Sequence, residues 1–114
     1  MQIDVIQRNG ATVVMPGGPR LDAEVAGDFR STLLKLIEGG HHNLIVDLPG
    51  VDFIDSSGLG ALVSALKRLR QMDAKGDIRL ANVQPPVQAV LEIIRLHRVF
   101  SRYPSVDAAV QSFA

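Results

Sequence analysis

Residues 44–70 read LIVDLPGVDFIDSSGLGALVSALKRLR, and this stretch decides the fold class. Its first three residues form an apolar run short enough for one strand. Because the run is not interrupted by polar residues, we expect both faces of this strand to be buried. Beyond the turn, apolar side chains recur at the i, i+3, i+4, i+7 spacing of an amphipathic helix, namely Leu59, Leu62, Val63, Leu66 and Leu69. The stretch therefore predicts a central strand, a turn and a long helix, with Gly76 as the stop signal.

The residues before this stretch predict a hairpin and a first helix. Asn9-Gly10 is a two-residue hairpin signal with β-type residues on both sides of it. After the breaker Pro-Gly-Gly-Pro at residues 16–19, Asp22 is a candidate helix N-cap and Gly39-Gly40 a stop. The apolar stripe between the cap and the stop consists of Val25, Phe29, Leu33, Leu36 and Ile37.

The residues after the stretch continue the alternation of strand and helix. A strand is expected at residues 78–80, and Pro85-Pro86 begins a helix. A short β segment is expected around residues 99–100, and Ser105 can cap a final amphipathic helix. Strands that alternate with helices along the whole chain predict an α/β domain.

Length and composition limit the class of protein. At 114 residues the chain can bury one core but not two cores and a linker, so we expect a single domain over residues 1–114. Twelve basic and twelve acidic residues cancel, which disfavours nucleic acid or an anionic membrane as a partner. Because the chain has no cysteine and no apolar run near the roughly 18 residues of a membrane span, we expect a cytoplasmic protein.

The turn between the central strand and its helix contains polar and small residues that packing alone does not require. The start of the helix is formed by Asp55, Ser56 and Ser57. The first amides of a helix lack partners within the helix, and the helix dipole stabilises an anion there. A phosphate on Ser56 would therefore be well placed. Gly58 and Gly60 keep Cβ groups out of the way of a partner or of the sheet, and Gly60 is expected to approach the sheet. The residues alone also allow a plainer interpretation, in which the polar side chains only cap the helix and the glycines only permit packing.

The segment D-S-S-G-L-G, directly after V-D-F-I, resembles the signature of STAS domains in bacterial anti-sigma factor antagonists. The resemblance extends from the opening hairpin to the closing helix. It implies a single STAS domain, with a mixed sheet of four to five strands packed against about four helices. The family often has glycine where this chain has Arg95, so the helix before that position is expected to end differently here.

The same resemblance implies which residues form the site. The phosphorylated residue would be Ser56, and Ser57 stands where the family carries Ser or Thr. Residues 18–22 (Gly-Pro-Arg-Leu-Asp) are similar to the G-x-L-D loop of the family's partner-binding surface, with one extra residue. The implied partner-binding residues are Asp22, Asp55, Ser56, Ser57, Gly58, Leu59 and Gly60.

The resemblance further implies a partner switch. Unphosphorylated proteins of this kind bind a serine kinase of the histidine-kinase-like ATPase type, which is also an anti-sigma factor and then releases its target. The kinase transfers phosphate from ATP to the serine, the complex dissociates, and a metal-dependent serine phosphatase resets the cycle. Catalysis would belong to those partners, so this chain is expected to be no enzyme and to hold no catalytic residue, metal or cofactor.

The sequence supports other functions less well. Gly58-Leu59-Gly60 begins like a dinucleotide-binding fingerprint, but Val63 stands at the position of the third glycine. A hydrolase would have to pair Ser56 with His42 or His97, outside a G-x-S-x-G motif. The alternative that stays open uses the same fold for another role, as a non-phosphorylated accessory subunit of a lipid or anion transport complex.

Overall fold

The computed structural model describes residues 2–72 and 75–114, in which seven strands and four helices form. The helices are α1 (Ala23–Glu38), α2 (Ser56–Gln71), α3 (Pro85–Ile93) and α4 (Val106–Ser112). The strands are β1 (Ile3–Arg8), β2 (Ala11–Pro16), β3 (Arg20–Leu21), β4 (Asn43–Asp47), β5 (Phe53–Ile54), β6 (Asp77–Ala81) and β7 (Arg102–Tyr103).

Five of the strands form the main sheet, in the order β1-β2-β4-β6-β7. The first two strands are an antiparallel hairpin, and Asn9 and Gly10 both have positive φ angles, 46° and 84°, as the twisted two-residue turn requires. The remaining neighbours pair in parallel, with β4 in the centre. The predicted α/β fold, with a mixed sheet of four to five strands and about four helices, is confirmed.

The sheet separates two apolar clusters, because alternate residues of each strand point to opposite faces. The larger cluster joins one face to α1, α2 and α3, with Phe29, Leu33, Leu62 and Leu91 among its fully buried side chains. The smaller cluster joins the other face to α4 through Ala109 and Val110. The stripes predicted for these helices are therefore the faces that pack on the sheet.

A second, two-stranded sheet positions the candidate site and was not predicted. Strand β3 pairs in parallel with β5, with Arg20 opposite Phe53 and Leu21 opposite Ile54. The carbonyl of Pro19 extends this pairing, since it accepts hydrogen bonds from the amides of residues 52 and 53 at 2.9 and 3.2 Å. Two segments that are far apart in sequence are thereby aligned in register.

Two local predictions are wrong. Residues 99–100 form no strand: a 3-10 helix, Leu96–Arg98, precedes them, Phe100 is fully buried in the core, and the strand follows at β7. Helix α2 ends at Gln71 rather than at Gly76. Gly76 instead lies against His42, where a Cβ would come within 2.8 Å of the His42 Cβ, so it permits close packing rather than stopping a helix.

The end of α3 also differs from expectation. Arg95, directly after the last turn, has φ 63° and ψ 20°, which is the left-handed conformation that glycine usually supplies after a helix. The helix therefore ends with the backbone geometry of a glycine cap although the residue is arginine. The left-handed region costs an L-residue about 1 to 2 kcal/mol relative to ordinary helical backbone.

We expect Arg95→Gly to raise the free energy of unfolding by about 1 kcal/mol, because glycine removes that strain and the side chain of Arg95 is exposed. Urea titration followed by circular dichroism measures the change. Arg98→Gly is the control: it removes a neighbouring arginine whose φ is not positive, and it should lower stability slightly. Equal behaviour of the two variants would contradict the assigned conformation.

Candidate functional site

The small sheet brings Asp22 and Asp55 to the same edge. Because β3 and β5 run parallel and in register, the residues that follow them, Asp22 and Asp55, lie side by side at their carboxyl ends. The Asp55 amide donates to the Leu21 carbonyl at 3.3 Å. Asp22 thus lies next to the first residue of the D-S-S-G-L-G turn, although the loop at residues 18–22 has one extra residue.

Each of these aspartates is the N-cap of a helix. Asp22 accepts a hydrogen bond from the Glu24 amide at 3.1 Å and caps α1. The Asp55 Oδ1 accepts from the amides of Ser57 and Gly58 at 2.9 and 3.1 Å and caps α2, while the Leu59 amide donates to the Asp55 carbonyl at 3.0 Å. The prediction that these first amides are free to hold a phosphate is wrong for Ser57 and Gly58, because the Asp55 carboxylate already occupies them.

Ser56 and Ser57 begin α2 and are both exposed. Among the residues that the structure describes, the Ser56 hydroxyl has no hydrogen-bond partner. In the same residues neither histidine considered for a hydrolase is hydrogen-bonded to Ser56: the His42 Nε2 interacts with the Ile37 carbonyl at 3.1 Å, and the buried His97 Nδ1 has no partner. Within the described residues, Ser56 therefore presents an accessible hydroxyl to which no side chain is hydrogen-bonded.

The two glycines of the turn have opposite environments. A Cβ on Gly58 would press against the Leu21 carbonyl oxygen and come within 2.9 Å of the Ile54 Cγ1, so this buried glycine lets α2 meet the small sheet. Gly60 is exposed, and a Cβ there would meet nothing within 4 Å. The prediction that Gly60 approaches the sheet is wrong, because Gly60 lies on the outer face of the helix.

Burial divides the predicted partner-binding residues into two groups. Gly58 and Leu59 are buried and support the site from beneath. The residues with exposed or half-buried side chains or backbone are Asp22, Asp55, Ser56, Ser57 and Gly60. These five lie at the edge of the small sheet and at the start of α2, and we refer to them as the site surface.

Arg20 adds a cation to this surface, and sequence reasoning missed it. Its guanidinium lies 4.0 Å from the ring centroid of Phe53 and 3.1 Å from the Asp22 carboxylate. The hydrogen bond from Arg20, together with that from the Glu24 amide, holds the pKa of the Asp22 carboxyl below its usual range. A signal was present, because Arg20 stands two residues before Asp22 in the loop that carries the resemblance.

An apolar groove borders the serine on its other side. It lies between α2 and α3, its lining includes Leu59, Val63, Val90 and Ile94, and Ser56 and Gly60 stand at its margin. Ile94 and its neighbour Ile93 are 46% and 79% exposed. The available sequence signal was the adjacent pair Ile93 and Ile94, because two successive residues of a helix point in different directions.

We expect Asp55→Ala to lower the free energy of unfolding by about 1 kcal/mol, because the amides of Ser57 and Gly58 lose their acceptor. Asp55→Asn keeps a side-chain oxygen in place and should stay within a few tenths of a kcal/mol of wild type. Thermal and urea denaturation of the three proteins checks this. An alanine variant as stable as the asparagine variant would show that the cap contributes nothing.

The chain belongs to the STAS domain family, whose match covers residues 2–109. The anti-sigma F factor antagonist of Paenibacillus polymyxa is 26% identical over 104 residues, which are 90% of this chain and 86% of that protein. The structure of an anti-sigma factor antagonist (STAS) domain protein from Planctomyces limnophilus superposes with a TM-score of 0.88 at 29% identity, covering 98% of this chain and 97% of that one.

The fold is also that of the Bacillus cell fate determinant SpoIIAA in its phosphorylated form. That likeness has a TM-score of 0.74 at 19% identity, and it covers 99% of this chain and 100% of SpoIIAA. At this identity it concerns the fold.

Two further properties follow from the described residues. No helix within residues 2–72 and 75–114 is both long and apolar enough to cross a membrane. In the same residues, no three His, Asp or Glu side chains are grouped so that they could hold a metal ion.

Proposed function

We propose that this chain is an anti-sigma factor antagonist and the phosphorylated member of a partner switch. Unphosphorylated, it binds a serine kinase of the histidine-kinase-like ATPase type, which is also the anti-sigma factor, and the kinase's target is released. One observation carries the proposal: Ser56 presents a free, exposed hydroxyl on the first residue of α2, beside Asp22 and Asp55. The names of the relatives support the same role, and so does the existence of a phosphorylated SpoIIAA.

The position of Asp55 explains why a phosphate on Ser56 would act as a release signal. The phosphate adds roughly 1.5 to 2 negative charges at neutral pH. The amides of Ser57 and Gly58 already bind the Asp55 carboxylate, so they do not neutralise the phosphate. The added charge stays in solvent in the free protein and must be desolvated beside a carboxylate when a partner approaches.

In this cycle the chain is a substrate and a ligand, not a catalyst. Among the described residues, no carboxylate or imidazole is hydrogen-bonded to the Ser56 hydroxyl, and a phosphoryl group donor must be supplied and positioned by the kinase. A metal-dependent serine phosphatase returns Ser56 to the free hydroxyl. The site needs no cofactor of its own, and it operates in the cytoplasm, where such kinases find ATP.

The test is to isolate the protein from its own cells and map its phosphate by mass spectrometry. We expect phosphate on Ser56, and a histidine-kinase-like ATPase that co-purifies with a Ser56→Ala variant. Purified wild type should incorporate no phosphate from ATP and magnesium alone. It should incorporate phosphate once that kinase is added. Ser57→Ala should still be phosphorylated, and Ser56→Ala should not.

Two outcomes would reject the proposal. Phosphate on Ser57 rather than Ser56 would show that the switch residue is misassigned. A chain that is never phosphorylated and co-purifies with a membrane transporter would favour the accessory-subunit role instead.

A further inference from the structure

The two edges of the main sheet are protected to very different degrees. Exposed edge strands invite pairing with other chains, and proteins usually limit this with short length, charged side chains (lysine above all), proline or a bulge. The β7 edge has two residues only. The β1 edge has six, without lysine or proline, its register with β2 is continuous, and Val5 and Ile6 are 40% and 53% exposed. No strand pairs with this edge in the part of the chain that the structure describes.

The hairpin turn determines which backbone groups of β1 are free. A two-residue turn is closed by a hydrogen-bonded pair, here Arg8 and Ala11, and hydrogen-bonded pairs recur at every second residue of an antiparallel ladder. Asp4, Ile6 and Arg8 therefore direct their N–H and C=O groups toward β2. Ile3, Val5 and Gln7 direct theirs outward, where another strand can receive them.

We propose that β1 pairs with β1 of a second copy of this chain, antiparallel and about a two-fold axis at Ile6. In this register Ile6 faces Ile6 of the second copy in a close, non-hydrogen-bonded pair, and Val5 exchanges backbone hydrogen bonds with Gln7 of the second copy. Asp4 then lies opposite Arg8 of the second copy, and the symmetry makes this ion pair twice. The strand is self-complementary in both shape and charge.

The charges select this register among those that symmetry permits. A two-fold axis normal to the sheet keeps each side chain on its own face, so the axis passes through one residue and its own copy. An axis at Val5 would place Asp4 opposite Ile6 of the second copy and leave both charges unpaired. An axis at Ile6 pairs Asp4 with Arg8 and places the exposed isoleucines in contact, where cross-strand pairs stabilise a sheet.

The surroundings of β1 are compatible with this pairing. Arg8 contacts Asp107 of α4 at 2.5 Å, but both side chains are exposed, at 39% and 74%, so this ion pair holds Arg8 only weakly. A groove lined by Ile6, Val13, Met15 and Val106 lies next to the proposed axis, and the grooves of two copies would join there. One strand pair buries less area than a permanent dimer requires, so the association is weak and depends on concentration.

Single cysteines test the register directly, because the chain has none of its own. Ile6→Cys should form a disulfide-linked dimer when diamide removes the two thiol hydrogens, since opposite residues in a non-hydrogen-bonded pair bring their Cβ atoms close enough for a bridge. Val5→Cys, the matched control, should form the dimer at least about tenfold more slowly, because its copies lie diagonally apart. Equal rates, or a faster Val5→Cys, would overturn the proposal.

A charge exchange tests the partner without any added thiol. Sedimentation of wild type up to about 1 mM should show a reversible dimer. Asp4→Arg should weaken association about tenfold by setting like charges opposite each other, and Asp4→Arg with Arg8→Asp should restore it. Wild type that stays monomeric throughout, or an Asp4→Arg variant that dimerises as wild type does, would overturn the proposal. Neither result bears on Ser56, so this inference stands or falls separately from the proposed function.

Discussion

Gly58→Ala is expected to lower the free energy of unfolding by about 3 kcal/mol, the upper end of the range for overpacking. The new methyl group would press against the Leu21 carbonyl, which is held in the small sheet by the pairing of β3 with β5. Because its strand is paired, the Leu21 carbonyl cannot move away from the new methyl group as the end of a flexible side chain could. Urea denaturation followed by circular dichroism measures the loss, and the site should loosen with it.

Gly60→Ala is the matched control, two residues further along the same helix. Because a Cβ at Gly60 meets nothing within 4 Å and alanine favours helix more than glycine does, this variant should be more stable than wild type by about 0.5 to 1 kcal/mol. The two alanine substitutions should thus move stability in opposite directions. A Gly58→Ala protein as stable as wild type would mean that α2 does not lie this close to β3.

Ser56→Asp is expected to lose roughly thirtyfold to several thousandfold in affinity for the cognate kinase in the presence of ADP. A mispaired charge buried at an interface costs on the order of 2 to 5 kcal/mol. The reason lies in the cap: Asp55 already supplies one carboxylate to the start of α2, so a second one finds no free amide at Ser57 or Gly58. Calorimetric titration of the variant and wild type with the kinase measures the difference.

Ser56→Ala is the control for this loss, because it removes the hydroxyl without adding charge. It should bind the kinase at least as persistently as wild type, since it cannot be phosphorylated and released. Both variants should unfold at nearly the wild-type denaturant midpoint, because Ser56 is exposed and the cap comes from Asp55. If Ser56→Asp bound as tightly as Ser56→Ala, charge at this position would not control the complex.

Features that depend on local periodicity were predictable from the sequence. The stripe from Leu59 to Leu69, the caps at Asp22 and Ser105 and the Asn9-Gly10 turn each involve residues within a few positions of one another, and each is present. Their physical causes act over one or two turns of backbone. A single sequence contains all of that information.

The pairing of β3 with β5 was not predicted, because it depends on contact between distant segments. The β3–β5 sheet joins two segments of two residues each, which are too short to show an alternating pattern. The one sign of this sheet in the local sequence is that an aspartate follows each of its two strands. Phe100 is likewise buried in the core without being part of a strand. The sequence pattern around one apolar residue does not distinguish a buried loop residue from a strand residue.

The assignment of the two glycines was within reach of the sequence. Counting forward by helical steps, Gly58 shares its face with Leu62 and Ala65, which are buried. Gly60 shares its face with Ser64 and Lys67, which are half-buried and exposed. The prediction placed Gly60 on the side of the first turn that approaches the sheet, whereas the period assigns it to the opposite face.

The ladder between β3 and β5 bears on how chains of this kind can change length over evolution. Residues gained or lost before Pro19 should be accommodated in the loop at residues 17–18, because the pairing of Pro19, Arg20 and Leu21 fixes the position of the chain before Asp22. A residue inserted between Arg20 and Asp22 would not be compensated by this pairing, and it would shift Asp22 by one position relative to Asp55. Insertions should therefore be common upstream of the ladder in related genes and rare within it.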